Sequence, residues 1–366
     1  MSLAIRNLRQ NKTRLVLSVV AVSLAITLIL LLNGLLSGVY RQVAQYPEHA
    51  PGSVVVAQDG VANLLATTSL LPPEAAGSVR AIDGVGQVVP ILSQFVILDL
   101  HGRKQPVYLV GYDPALGGGP WNIAEGREPA VDNEAVVDRV LARRHGLKVG
   151  SQFELQGSAF AVAGLSRGTS TTIGSYVFLR TSAAESLLGL KNASSYLLVT
   201  PEPGTSAEAL VTRLETLPGV SALTKDQLIA NDQTFIGDVF NTPLWLMVGI
   251  AFMVGTLVVG LVVYTATVER QREYGVLKAI GAGNRRLYAV VAGQALIATL
   301  AGCLAGVALA FGASALIEWL RPQFLVTIET AAIVRSMIAG LVIAMLAALA
   351  PARVIARLAP ADVFRR

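Results

Sequence analysis

Four stretches of this chain stay apolar for longer than a soluble core requires. They cover residues 15–40, 241–267, 287–317 and 331–351, and the first carries LVLSVVAVSLAITLILLLNGLLS. A helix needs about 20 apolar residues to cross the hydrocarbon core of a bilayer, so each stretch predicts a transmembrane helix. The third is long enough to tilt or to extend past the membrane. Arg6, Arg9, Lys12 and Arg14 precede the first, as they would a signal peptide. A cleavable apolar core runs to roughly 7–15 residues and ends on a small-x-small site. This run is longer and lacks that site, so it reads as a retained span.

Between the first two spans, residues 41–240 have ordinary soluble composition and a different rhythm. SVVVAQ (53–58) is a short β-branched strand, and PPEAAGSVRAI (72–82) opens on prolines as a helix does. QVVPILSQFVILDL (87–100) predicts a long strand, with Pro90 marking an edge or bend. HGRK turns it into PVYLVGYD (106–113), a hairpin, and GGGP (117–120) is a loop. EAVVDRVLARRHG (134–146) passes from strand to helix and stops at Gly146. Alternating strands flank turns at VGS and QGS. SYVFLRT, SAAESLLG and SSYLLVT then give strand, helix and strand. SAEALVTRLETLPG is a helix with Ser206 as N-cap and Pro218-Gly219 as its stop. TKDQLIANDQTFIGDVFNT (224–242) predicts a helix leading into the second span. The expected fold is therefore an integral membrane α-helical protein with four transmembrane helices. A large α+β extracytoplasmic domain is inserted between helices one and two. A short loop, 318–330, joins spans three and four.

Composition supports the membrane class: 53% of residues are hydrophobic and only 14% charged, against about 25% charged in soluble domains. The distribution of charge sets orientation, because Lys and Arg collect on the cytoplasmic side. The segment 1–14, the loop 268–286 and the tail 352–366 are strongly basic, while the remainder is mildly acidic. Both termini and that loop are expected in the cytoplasm, and 41–240 outside. The basic total is thus a topology signal, and nucleic acid is not an expected partner.

Conventional chemistry is missing. Cys303 is the single cysteine and lies in an apolar run, and His49, His101 and His145 are scattered, so no metal site is expected. GLSRG (164–168) matches G-x-S-x-G, but no histidine follows His145, and the Ser…acid…His order of that elbow cannot be met. No G-x-x-x-x-G-K-[ST] loop for nucleotide phosphates occurs. The spans carry almost no charge. Asn33 lies late in the first, and Arg335, near the outer end of the fourth, reaches toward headgroups. Gly302 and Gly306, and Gly340 with Ala344, form small-xxx-small rows that let helices approach closely. They serve either dimer contacts or packing within the chain.

The loop between spans two and three reads VERQREYGVLKAIGAGNRR (268–286). On a helix over 269–280, Glu273, Val276, Leu277 and Ile280 share one face, while Arg270, Arg272 and Lys278 lie largely elsewhere. Gly281, Ala282 and Gly283 end it. A plain positive-inside loop needs only arginines. A two-faced helix with YGVLKAI suits a docking surface for a cytoplasmic partner.

This segment resembles the signature of FtsX-like permeases, the membrane subunits of MacB-type (type VII) ABC transporters, of the form E-R-x-x-E-[IY]-G-x-L-[KR]-A-[IL]-G-A. It stands here as Glu269, Arg270, Glu273, Tyr274, Gly275, Leu277, Lys278, Ala279, Ile280, Gly281 and Ala282. SLAIRNLRQNKTR resembles the family's amphipathic N-terminal helix, and PARVIARLAPADVFRR its usual ending. GREPAVDNEAVVDRVLARRHGLKVGSQFELQGSAFAVAGLSR is similar to its external domain, with His145 and Ser151 as departures.

The resemblance implies a non-catalytic permease in the bacterial inner (plasma) membrane, with no cofactor of its own. ATP and magnesium would sit in a separate cytoplasmic ABC ATPase, since the fused ATPase of MacB is not expected here. Two permease chains, identical or paralogous, would pair, with membrane lipids around them and a periplasmic adaptor as a further partner. The 269–280 helix would enter a groove of the ATPase. Glu273 and Lys278 would be polar contacts, Leu277 and Ile280 the apolar anchor, and Gly275 a close approach. ATP-driven motion would be relayed to 41–240, exporting or extracting a lipid-like or amphiphilic substrate. The alternative is a regulator of an external cell-wall hydrolase that transports nothing.

Overall fold

The computed structural model describes residues 12–65, 67–100, 103–269 and 271–357. Most of the expected 1–14 amphipathic helix, the His101-Gly102 half of the hairpin turn, Arg270 and the tail beyond residue 357 lie outside the described residues. The chain divides into two compact units. A helical unit takes the residues up to Gly38, Phe240–Arg321 and those from Val326 onward; an α/β unit takes Val39–Val239 with Pro322–Leu325.

Helix α1, Lys12–His49, opens the described chain. The α/β unit follows with β1 (Val54–Gln58), α2 (Ala75–Arg80), β2 (Val85–Leu100) and β3 (Arg103–Tyr112). Next come β4 (Ile123–Gly126), β5 (Glu134–Asp138), α3 (Arg139–His145), β6 (Gln152–Leu155) and β7 (Ser158–Ser166). Then β8 (Ser175–Arg180), α4 (Thr181–Leu188), β9 (Tyr196–Pro201), α5 (Ala207–Leu214) and β10 (Val220–Thr224) complete it. The strands form one sheet in the order β10-β1-β9-β2-β3-β8-β5-β7-β4, with β6 paired to β7.

β2 joins the two halves of that sheet by changing partner. Val85 to Ile91 pair antiparallel with β9, and Leu92 to Leu100 pair antiparallel with β3. Pro90 falls before the β3 ladder begins, in the stretch where a missing N–H costs least. Strand β5 runs straight into α3 because Asp138 is both its last residue and the helix N-cap, accepting from the Val140 and Leu141 N–H groups. Gly146 ends that helix in the left-handed region. The Ser166 hydroxyl of the G-x-S-x-G match is not poised as a nucleophile. It is buried, hydrogen-bonded to Thr169 at 2.6 Å, and Thr169 donates to Asp138 at 2.7 Å.

Two strands were not expected from the sequence. β4 and β10 are short and carry no clean alternation; they exist because β7 and β1 offer them open edges. The helices also run further than the spans they contain. Four helices are long and apolar enough to cross a membrane: Leu15–His49, Lys225–Glu269, Asn284–Leu320 and Thr330–Arg353. The second of these, α6, is unbroken over 45 residues, and its first stretch, up to Val239, belongs to the α/β unit. On that stretch Asp232 is fully buried and accepts from the Leu64 and Leu65 N–H groups, each at 3.1 Å. The carboxylate thereby ties the 61–65 connection to the helix.

The helical unit is completed by α7 (Gln271–Ala279), α8 (Asn284–Leu320) and α9 (Thr330–Arg357). Its core draws Val22, Ile26 and Leu30 from α1, Val259 and Val263 from α6, Val291 and Ala295 from α8, and Ile343 and Ala344 from α9. The small residues set how closely these helices approach. A Cβ on Gly302 would meet Val22 Cβ at 2.5 Å, and one on Gly306 would meet the Ser23 carbonyl at 2.8 Å. Gly340 is covered by Cys303. The rows pack helix on helix within the chain, and Thr27 Oγ donates across to the Gly306 carbonyl at 3.0 Å.

Replacing Gly302 by Val should therefore lower stability by about 1–3 kcal/mol through overpacking. Gly312→Ala, where a Cβ meets nothing within 4 Å, should not; thermal unfolding in detergent compares the two. Burial pushes the Asp232 carboxyl up to about 7, against the downward pull of the Leu65 and Leu64 N–H groups. The folded chain thus holds this proton more tightly than the unfolded chain, whose Asp titrates near ~3.9. That contribution is full below about pH 4 and is lost as pH rises through about 7. Unfolding scans from about pH 5 to 8 should show a decline with pH that is shallower in Asp232→Asn; equal slopes would contradict the assignment.

Candidate functional site

The segment singled out by its mixed charge and apolar pattern forms α7, one short helix between α6 and α8. Its end is built by three backbone hydrogen bonds. Ile280 N–H donates to Val276 O at 3.1 Å, Gly281 N–H to Lys278 O at 3.1 Å, and Ala282 N–H to Leu277 O at 2.9 Å. The last two are the paired bonds of a Schellman cap. Gly281 makes the cap feasible because its φ is +94°, a conformation that a side chain strains. The cap also brings Ala282 and Leu277 to the same side, and both pack against the helical core.

The structure divides the face that the sequence pattern treated as one. Tyr274 is 3% exposed and lies in the helical core, with Gly275 buried beside it. Leu277 turns the same way and packs against that core. Val276 and Ile280 point out, 41% and 75% exposed, with Glu273 and Arg272 also exposed. The apolar pair expected as an anchor, Leu277 and Ile280, is therefore split: Leu277 holds α7 to its own bundle, and Ile280 is displayed. The cause is angular. At about 100° per residue, positions 273, 276 and 280 cluster within one narrow sector, and position 277 falls between them and Tyr274. Tyr274 at i and Leu277 at i+3 were the available signal for the inner face.

Glu269 closes α6 and is exposed, Lys278 is half-buried, and Gly281 is exposed. Arg285 and Arg286, at the start of α8, are exposed as well. The outward surface of this end thus combines two aliphatic side chains, Val276 and Ile280, with acids and bases at the margins. Among the described residues there is no cluster of three His, Cys, Asp or Glu suited to a metal ion.

Four long apolar helices, an α/β unit between the first and second, and a displayed short helix between the second and third describe a membrane permease. The comparisons agree. Residues 15–217 match the MacB-like periplasmic core domain, and residues 245–360 match the FtsX-like permease C-terminal domain. The chain belongs to the FtsX-like permeases with a MacB-like core domain, the membrane subunits of MacB-type ABC transporters. An ABC transporter permease of Mycobacterium tuberculosis is 27% identical over 367 residues, covering 99% of this chain and 98% of its own. The macrolide export ATP-binding/permease protein MacB of Hahella chejuensis is 29% identical over 194 residues, 50% of this chain and 29% of its own. The crystal structure of the periplasmic region of MacB from Actinobacillus actinomycetemcomitans is similar over 51% of this chain and 94% of that one, at 13% identity and a TM-score of 0.37.

Two substitutions separate the inner and outer faces of α7. Leu277→Asp should put a charge against the helical core and cost on the order of 2 kcal/mol, lowering the melting temperature in detergent. Ile280→Asp, on the exposed side, should leave it within a degree or so of the parent. Equal losses would show that Ile280 is packed rather than displayed.

Proposed function

We propose that this permease couples a separate cytoplasmic ATPase to its α/β domain through α7, and that the coupled motion exports or extracts a lipid-like or amphiphilic substrate. One observation carries the reading: α7 is fixed to the helical core by Tyr274 and Leu277 while Val276 and Ile280 are left exposed. A helix held on one side and apolar on the other suits a groove on a second protein. Force applied to such a helix passes to α6 and α8, which flank it in the chain.

In this account α7 and both termini face the cytoplasm of a bacterium and the α/β domain lies beyond the inner membrane. The basic residues Arg272 in α7 and Arg285 and Arg286 just after it support that orientation. ATP and magnesium are bound by the partner ATPase, and the permease works as a pair with an identical or paralogous chain. The spans carry little polar lining, so cargo need not cross them; relay of motion to the external domain suffices. Export is favoured over hydrolase regulation by the name of the MacB relatives, macrolide export proteins. A periplasmic adaptor fits that export role.

Co-expression with the ATP-binding subunit tests the docking face. Ile280→Asp should lose co-purification of the ATPase while its membrane yield and melting temperature stay at parent values. Undiminished co-purification would remove α7 as the docking element. Recovery of a peptidoglycan hydrolase with the native complex, in place of an adaptor, would overturn export.

A further inference from the structure

The helical unit contains a cavity of about 370 Å³ at the end opposite α7. Asn33 just past the middle of α1, Trp245 and Gly249 early in the apolar part of α6, and Arg335 and Ser336 early in α9 line it. Two features set it apart from the packing around it. Its walls are mainly apolar, with Ile29, Val248 and Phe252 among them, and its size is in the range of small-ligand sites, roughly 300–1,000 Å³. It also carries one cation. Arg335 is exposed, and among the described residues it forms no ion pair or hydrogen bond. The neighbouring polar groups are already committed to backbone: Asn33 Nδ2 donates to Ile29 O at 2.8 Å, and Ser336 Oγ donates to Ile333 O at 2.8 Å.

An unpaired guanidinium on a transmembrane helix is costly unless it meets an anion or reaches the headgroups. A guanidinium is a planar fork of donors that matches a phosphate oxygen pair. Trp245, 68% exposed, is the amphipathic ring found at the headgroup level of a bilayer. An apolar cavity beneath a guanidinium and an indole at that level has the two-part chemistry of an amphiphile: anionic head above, acyl chain below. We infer that this cavity binds a phospholipid with an anionic headgroup, its phosphate on Arg335 and one acyl chain between α1, α6 and α9. The inference needs the helices to span a membrane but does not need the proposed export, and its test requires neither ATPase nor cargo.

The test uses the purified full chain and two variants. Arg335→Gln removes the cation. Gly249→Phe fills the cavity from a position where an added Cβ meets nothing within 4 Å, so the fold has no cause to change. Melting temperatures are measured in detergent with added phosphatidylglycerol, phosphatidylcholine or inorganic phosphate. The parent should gain several degrees from phosphatidylglycerol and much less from phosphatidylcholine, with nothing from phosphate. Arg335→Gln should lose the difference between the two lipids. Gly249→Phe should lose the gain from both, while its melting temperature without lipid matches the parent. Equal gains from the two lipids in the parent would overturn the role of Arg335. A phosphatidylglycerol gain that survives in Gly249→Phe would mean that Arg335 only touches the surrounding headgroups. A gain from phosphate alone would make this an ion site.

Discussion

The attachment of α7 to the helical core is the constraint on which the functional account depends. Tyr274 is buried there, Leu277 packs against the same cluster, and the cap through Gly281 ends α7 just before α8 begins. Without that attachment α7 would be a basic loop segment, and a push on it would be absorbed by its own movement. With it, α7 turns Val276 and Ile280 outward and is continued on either side by α6 and α8. In the same unit α8 approaches α1 closely at Gly302 and Gly306. An added side chain at either glycine would overpack that interface, which is as unfavourable as a void.

The α/β unit applies the same economy with different chemistry. Its buried polar groups are placed where they fasten one element to another. Asp138 caps α3 and receives Thr169, and Asp232 collects two N–H groups from the 61–65 connection. A buried acid with hydrogen-bond donors aimed at it holds a connection in place more specifically than an apolar contact does. At Asp232 burial outweighs the downward pull of those N–H groups and pushes the carboxyl up to about 7.

Much of this was legible in the sequence. The four apolar runs, the strand-to-helix passage at Glu134–Gly146 and the short helix closed at Gly281 all rest on local rules: span length, an N-cap, a left-handed glycine. The misses are non-local. β4 and β10 exist through the partners they pair with. Leu277 belongs to the inner face because Tyr274, one turn away, is held by residues from distant helices. Asp232 carries no local signal of its burial, since nothing near it in sequence reveals the Leu64 and Leu65 N–H groups. The cavity beside Arg335 draws on three helices far apart in the chain.

The most direct test of the central claim is a photocrosslinking residue placed singly at positions 274, 276 and 280 of the full chain, in membranes that also carry the ATP-binding subunit. The account predicts crosslinks to that subunit from 276 and 280 and none from 274. Crosslinks from 274, or silence at 280 while the complex is intact, would contradict it.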